Sequence, residues 1–231
     1  MITGARIKQL SVGLPAPLPY RDSTVPSGFV KTPVNWTLWL GKEGLTGDGQ
    51  ADRKYHGGPE KAVCVYSDEH YLYWTERLGR PLGAAAFGEN FTTLGLTEPT
   101  VCIGDVVKVG GALVEVSQPR QPCFKLAARH DEPKLTLWVQ ETGLTGWYFR
   151  VLKPGAVRAG TRLKLVQRPP GAVTIEEANR VMHHDKEDRP AIERLLAQPA
   201  LSRSWRATFK KRLGGHLEDT AARLMGTQEQ S

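Results

Sequence analysis

Residues 106–118 read VVKVGGALVEVSQ, two runs of alternating apolar and polar residues around a pair of glycines. A period of two turns one face of each run toward a core, and Gly110 and Gly111 can supply the positive φ of a tight turn, so the stretch predicts a β-hairpin. Working outward, RIKQLSV at 6–12 and NWTLWL at 35–40 repeat the alternation, and AVCVYS at 62–67 is a solid apolar run of strand length. Many short strands between Arg6 and Val166, interrupted by glycine and proline, predict a mainly β unit closed or partly closed into a barrel. Two helices break the strands: SDEHYLYWTERL, capped by Ser67 or Asp68 and stopped at Gly79, and a second over 133–142 stopped at Gly143.

The paired prolines and glycine of QRPPGAV, 167–173, end the last strand. Beyond them the character changes. TIEEANRVMHHD opens with Thr174 and Glu177 at capping-box spacing, and RPAIERLLAQ and SRSWRATFKKRL have helical periodicity. The expected division is a β-barrel domain over 1–169 and a three-helix domain over 170–231, the latter too small to be very stable alone and expected to dock on the barrel. The tetrapeptide GLTG recurs at 44–47 and 143–146, too short a match to argue a duplication.

The net charge is +7, carried by the larger part: residues 1–169 hold 21 Lys+Arg against 15 Asp+Glu, whereas residues 170–231 hold 10 against 9. A nucleic-acid-binding tail would reverse that asymmetry, so the excess points to a cationic pocket for an anionic small molecule rather than to a nucleic-acid polymer. Trp205 and Phe209, at i and i+4 among the basic residues of 203–216, share a helix face that should point inward. Nothing approaches the roughly 20 apolar residues of a membrane span. Three widely spaced cysteines, Cys64, Cys102 and Cys123, offer neither a disulfide framework nor a metal knuckle. A reducing cytoplasm fits best.

Two segments carry the candidate chemistry. GLTGDGQADRKYHGGPEK, 44–61, combines five glycines with Arg53, Lys54 and His56, the composition of an anion cradle, although neither GxxxxGK[ST] nor GxGxxG is present. SQPRQPCFKL, 117–126, places Cys123 just after two prolines that end a strand. A helix N-terminus there, with Arg120 and Lys125 nearby, favours a thiolate. Cys64 and Cys102 lack these features and read as core. A hydrolase would need a histidine base, for which His56, His70, His130, His183, His184 and His216 are all candidates without a local signature. A zinc deaminase fails on motif order and ligand count. A third use is as the single protein ligand to a metal whose other ligands belong to a cofactor. FGENFTTLGL, 87–96, adds Asn90 as a further pocket candidate.

Taken together, the glycine loop and the strand after it, the FGENFTT turn, the GD after TVCI, and the SQPRQPCFKL cysteine resemble the MOSC family, named for the C-terminal domain of molybdenum cofactor sulfurase, and within it the bacterial YiiM-type proteins. The resemblance runs over nearly the whole chain, including the C-terminal helices. It implies a β-barrel holding the molybdenum cofactor, a molybdopterin with Mo, with Cys123 as thiolate ligand to the metal. By segment, it implies that Arg53, Lys54 and Arg120 meet the phosphate and pterin, with His56, Gly57, Gly58 and Asn90 near the same pocket. The implied activity is reduction of N-hydroxylated compounds such as hydroxylamino purines, a detoxification, with Cys123 and His56 as catalytic residues. No flavin, haem or iron–sulfur motif is present, so a separate electron-donor reductase is implied. A homodimer remains open. The competing reading is a cofactor or sulfur carrier that binds without turning over a nucleobase.

Overall fold

β-Branched and aromatic residues at alternate positions build the strands, described over residues 4–51 and 57–226 of a computed structural model. The strands are β1 (Arg6–Val12), β2 (Ala16–Tyr20), β3 (Ser23–Ser27), β4 (Thr32–Val34), β5 (Leu38–Gly41), β6 (Gly44–Leu45), β7 (Val63–Ser67), β8 (Phe91–Leu94), β9 (Val106–Val109), β10 (Ala112–Pro119), β11 (Trp147–Lys153), β12 (Gly155–Val157) and β13 (Leu163–Gln167). Among the described residues the α-helices are α1 (Tyr71–Leu78), α2 (Lys125–His130), α3 (Leu135–Thr142), α4 (Ile175–His183), α5 (Arg189–Leu196), α6 (Arg203–Leu213) and α7 (Ala221–Met225).

The main sheet runs β13-β9-β10-β11-β7-β8-β1-β4. Its pairs are antiparallel except β7 with β8. Backbone bonds from Ile7 N to Thr161 O and from Leu163 N to Ala5 O, each 2.9 Å, with a bridge between Arg6 and Arg162, tie the chain entering β13 to β1. The sheet therefore rolls up on itself, and the mainly β architecture with helices holds. β9 and β10 form the anticipated hairpin, with Gly110 at φ 57°.

Alternation sends Val63, Val65, Val114, Val116, Trp147 and Phe149 into one core. The same core takes in Ile175, Val181, Ile192, Leu195, Trp205 and Phe209 from α4, α5 and α6, so these helices pack on the sheet without an intervening solvent layer. A second cluster on the other face joins Tyr66 to Phe29, Trp74, Phe87, Leu126 and Leu135. Thr174 caps α4 as its spacing predicts, accepting from Glu177 N at 3.0 Å. α1 and α3 stop at Gly79 and Gly143, both left-handed.

Two expectations are corrected. The strand expected over 35–40 begins only at Leu38, because Leu38 and Leu40 supply the inward face while Trp36 and Trp39 remain exposed. The C-terminal region has a fourth helix, α7, whose five residues carry too little apolar pattern to announce it. No helix among the described residues is long and apolar enough to cross a membrane.

Candidate functional site

β10 ends at Pro119, which pairs with Trp147, and Arg120 N then donates to Gly146 O at 3.0 Å. Pro122 turns the chain so that Cys123 lies just before α2. Its carbonyl accepts from Leu126 N at 2.9 Å and from Thr136 Oγ1 at 3.1 Å, and its residue is 5 % exposed. Cys123 and Arg120 line a cleft that opens to solvent. Phe29 and Lys31, between β3 and β4, and Asp48, in the loop after β6, line the same cleft.

Cys64 and Tyr148 line the same cleft. They are register partners on β7 and β11, and because Val63, Val65, Trp147 and Phe149 face the core, alternation turns Cys64 and Tyr148 outward. Burial pushes the Cys64 thiol up, with Arg120 acting against the rise. Burial, followed by the neighbouring Cys64, holds the Tyr148 phenol well above the usual tyrosine range, so it keeps its proton. Burial opposes the charge on Arg120, but Cys64, Tyr148 and Cys123 around it favour that charge. Its Nη1 is buried and has no hydrogen-bond partner among the described residues.

Lys31, Lys61, Arg120 and Lys125 place four cationic groups on the lining against the carboxylate of Asp48. Asp48 pairs with the buried Lys31 and accepts from Gly13 N and Asn90 Nδ2, each at 2.9 Å. Asn90 Oδ1 in turn accepts from Cys64 N at 3.0 Å. Asn90 thus lies one layer behind the wall, fixing Asp48 and Cys64 in place.

Of the residues proposed from the sequence, Cys123 and Arg120 come together in this cleft. Gly58, at φ 83°, donates its N–H to Gln50 Oε1 at 2.9 Å, and through that glutamine it touches the wall; Gly57 precedes it. Arg53, Lys54 and His56 fall outside the described residues. Sequence reasoning missed Cys64, Tyr148, Lys31, Asp48 and Phe29 as lining. Pairing of β7 with β11 was the signal for the first two; the others arrive from separate loops.

The donor set fits a large anionic group held partly by sulfur. An orphaned guanidinium N–H, an excess of cations and a nearby cysteine suit a phosphate-bearing ligand with a thiol-binding centre. Among the described residues no group of three or more His, Cys, Asp or Glu side chains is placed to hold a metal ion, so a metal at Cys123 would draw its other ligands from elsewhere. No described histidine lines the cleft: His70 Nε2 lies 2.6 Å from Glu98 Oε2, and His130 Nε2 lies 2.7 Å from Ala86 O.

Comparison with known proteins bears on the same architecture. The family model described as MOSC domain matches residues 52–164, and the YiiM-like, 3-alpha helix domain matches 173–216. The chain is 50 % identical to YflK of Bacillus subtilis (strain 168), covering 89 % of this chain and 93 % of that one. It superposes on the crystal structure of YiiM from Geobacillus stearothermophilus with a TM-score of 0.78 at 44 % identity, covering 90 % and 99 % of the two chains. A protein named Reductase from Gibberella moniliformis (strain M3125 / FGSC 7600) is 38 % identical over 63 % of this chain, which corresponds to 26 % of that protein.

Proposed function

Because the chain belongs to the MOSC-domain family and carries a YiiM-like three-helix domain, we propose that it is a molybdenum-cofactor-dependent reductase that converts N-hydroxylated compounds to amines. The observation that carries the reading is the cleft itself, where Cys123 and a buried Arg120 with an unused Nη1 N–H share a wall in a cationic lining. When bound, the cofactor would supply the two-electron chemistry by which an N–OH oxygen leaves as water.

The protein's own residues hold and orient. Cys123 would provide the thiolate to molybdenum, and Arg120 would pair its spare N–H with an anionic oxygen of the cofactor. Arg53, Lys54, Gly57 and Gly58 are proposed to complete the anion cradle, with Asn90 bracing it. Tyr148, kept protonated by burial, offers a hydrogen-bond donor at Oη, and His56 is a second candidate for delivering a proton to nitrogen. The Phe29 ring gives a planar substrate an apolar surface beside these polar groups.

Electrons come from a separate reductase in this reading, the site of action is the cytoplasm, and residues 1–169 and 170–231 act as cofactor and helical domains. The Reductase name of the Gibberella moniliformis relative supports oxidoreductase chemistry at the coarser level. The test is anaerobic incubation of the purified protein with a hydroxylaminopurine and a low-potential reductant, following the aminopurine by chromatography. Turnover that disappears in Cys123→Ser is the expected result. Cofactor binding without turnover would favour the carrier, and full activity in Cys123→Ser would overturn the role given to the sulfur.

A further inference from the structure

After α6 the chain runs back to the loop that carries Cys123. Buried Arg212 pairs with Glu218 and donates to Val181 O and Met182 O at 2.9 and 2.7 Å, anchoring the chain on α4. Five residues later Arg223 brackets the reactive loop. Its Nη1 donates to Pro122 O at 2.5 Å, its backbone O accepts from Phe124 N at 2.9 Å, and its Nη2 donates to Gln140 Oε1 at 2.7 Å on α3. One residue thus grips the peptide on each side of Cys123 and ties it to a helix.

The grip extends to the β2–β3 hairpin. Met225 O accepts from Tyr20 Oη and from Arg21 Nη2 at the tip of the β2–β3 hairpin, and the Tyr20 and Phe124 rings sit 4.8 Å apart. The far end of that hairpin leads into Ser27, Gly28 and Phe29 on the cleft lining. We propose that residues 218–226 form a strap that ties the Cys123 loop to α3 and to the β2–β3 hairpin, and that Arg223 is the positioning residue that fixes Cys123 at the cleft. Arginine suits the task because its planar, pre-organised fork reaches two acceptors on different elements at once.

The inference rests on Cys123 as the reactive sulfur of the cleft, and it can be tested without the cofactor. Full-length protein from cells unable to make the pterin is treated with iodoacetamide, and alkylation of each cysteine is followed by peptide mass spectrometry. With the strap loosened, local opening exposes the thiol, so Arg223→Ala should be alkylated at Cys123 about tenfold faster than wild type. Arg223→Lys should fall between them. Cys102, 3 % exposed and away from the strap, is the internal control and should keep its wild-type rate. Gln140→Leu, which removes the second anchor and leaves Arg223 in place, should raise the Cys123 rate in the same direction. An unchanged Cys123 rate in these variants, or a rise shared equally by Cys102, would overturn the strap. Failure of the molybdenum reading would appear elsewhere, in the metal content of protein from cofactor-competent cells.

Discussion

The guanidinium of Arg120 lies over the ring of Phe29, 5.4 Å from its centroid, with Nη1 buried and unpartnered among the described residues. Both residues line the cleft. Such an arrangement serves a ligand better than it serves the empty fold, since a buried donor left unmade costs about 1–3 kcal/mol.

Arg120→Met should therefore leave the melting temperature of the cofactor-free protein unchanged or raise it, while cofactor retention falls. Thermal unfolding and pterin content of the same samples check the two halves. A drop of more than about 5 °C would mark Arg120 as a structural residue instead.

Asp48 and Lys31 form an ion pair with side chains 7 % and 5 % exposed. Removing one partner strands the other charge, so Asp48→Ala should cost about 3–5 kcal/mol by urea unfolding. The double variant Lys31→Met with Asp48→Leu should recover part of that loss, because neither charge is then buried while Gly13 N and Asn90 Nδ2 still lose their acceptor. A single variant within about 0.5 kcal/mol of wild type would contradict this view of the wall.

His183 is pushed down to about 3, first by burial and then by Arg223, His184, Arg212 and Lys186 around it. Below about 6.5 the unfolded chain takes up a proton that the folded chain refuses until about pH 3. Stability should thus decrease as the pH is lowered through that window, by up to about 1.4 kcal/mol per unit from this group. His183→Gln should flatten the slope in denaturant unfolding measured between pH 7 and 4, and an identical slope in both proteins would remove His183 from the acid sensitivity.

Much of the fold was legible because local chemistry and tertiary structure agree. Gly79, Gly110 and Gly143 stand where a positive φ ends a helix or turns a hairpin, and Thr174 caps the helix its spacing announces. Cys123 was legible too, since prolines that cannot continue a strand isolate it at a junction. The cleft around it was not. In AVCVYS every residue but Ser67 is apolar or aromatic, so the run hides the alternation that turns Cys64 toward the cleft, and only its pairing with Tyr148 fixes the face. Lys31 and Asp48 come from segments whose proximity is set by the tertiary fold. Residues 221–225 are too short to show a helical period, although they hold the loop that the sequence singled out.

The most direct test of the account is the molybdenum and pterin content of wild-type and Cys123→Ala protein purified from cofactor-competent cells, by elemental mass spectrometry and by fluorescence of the oxidised pterin. The account predicts near-stoichiometric molybdenum in the wild type and its loss in the variant. Wild-type protein with neither metal nor pterin, or equal molybdenum in both proteins, would contradict it.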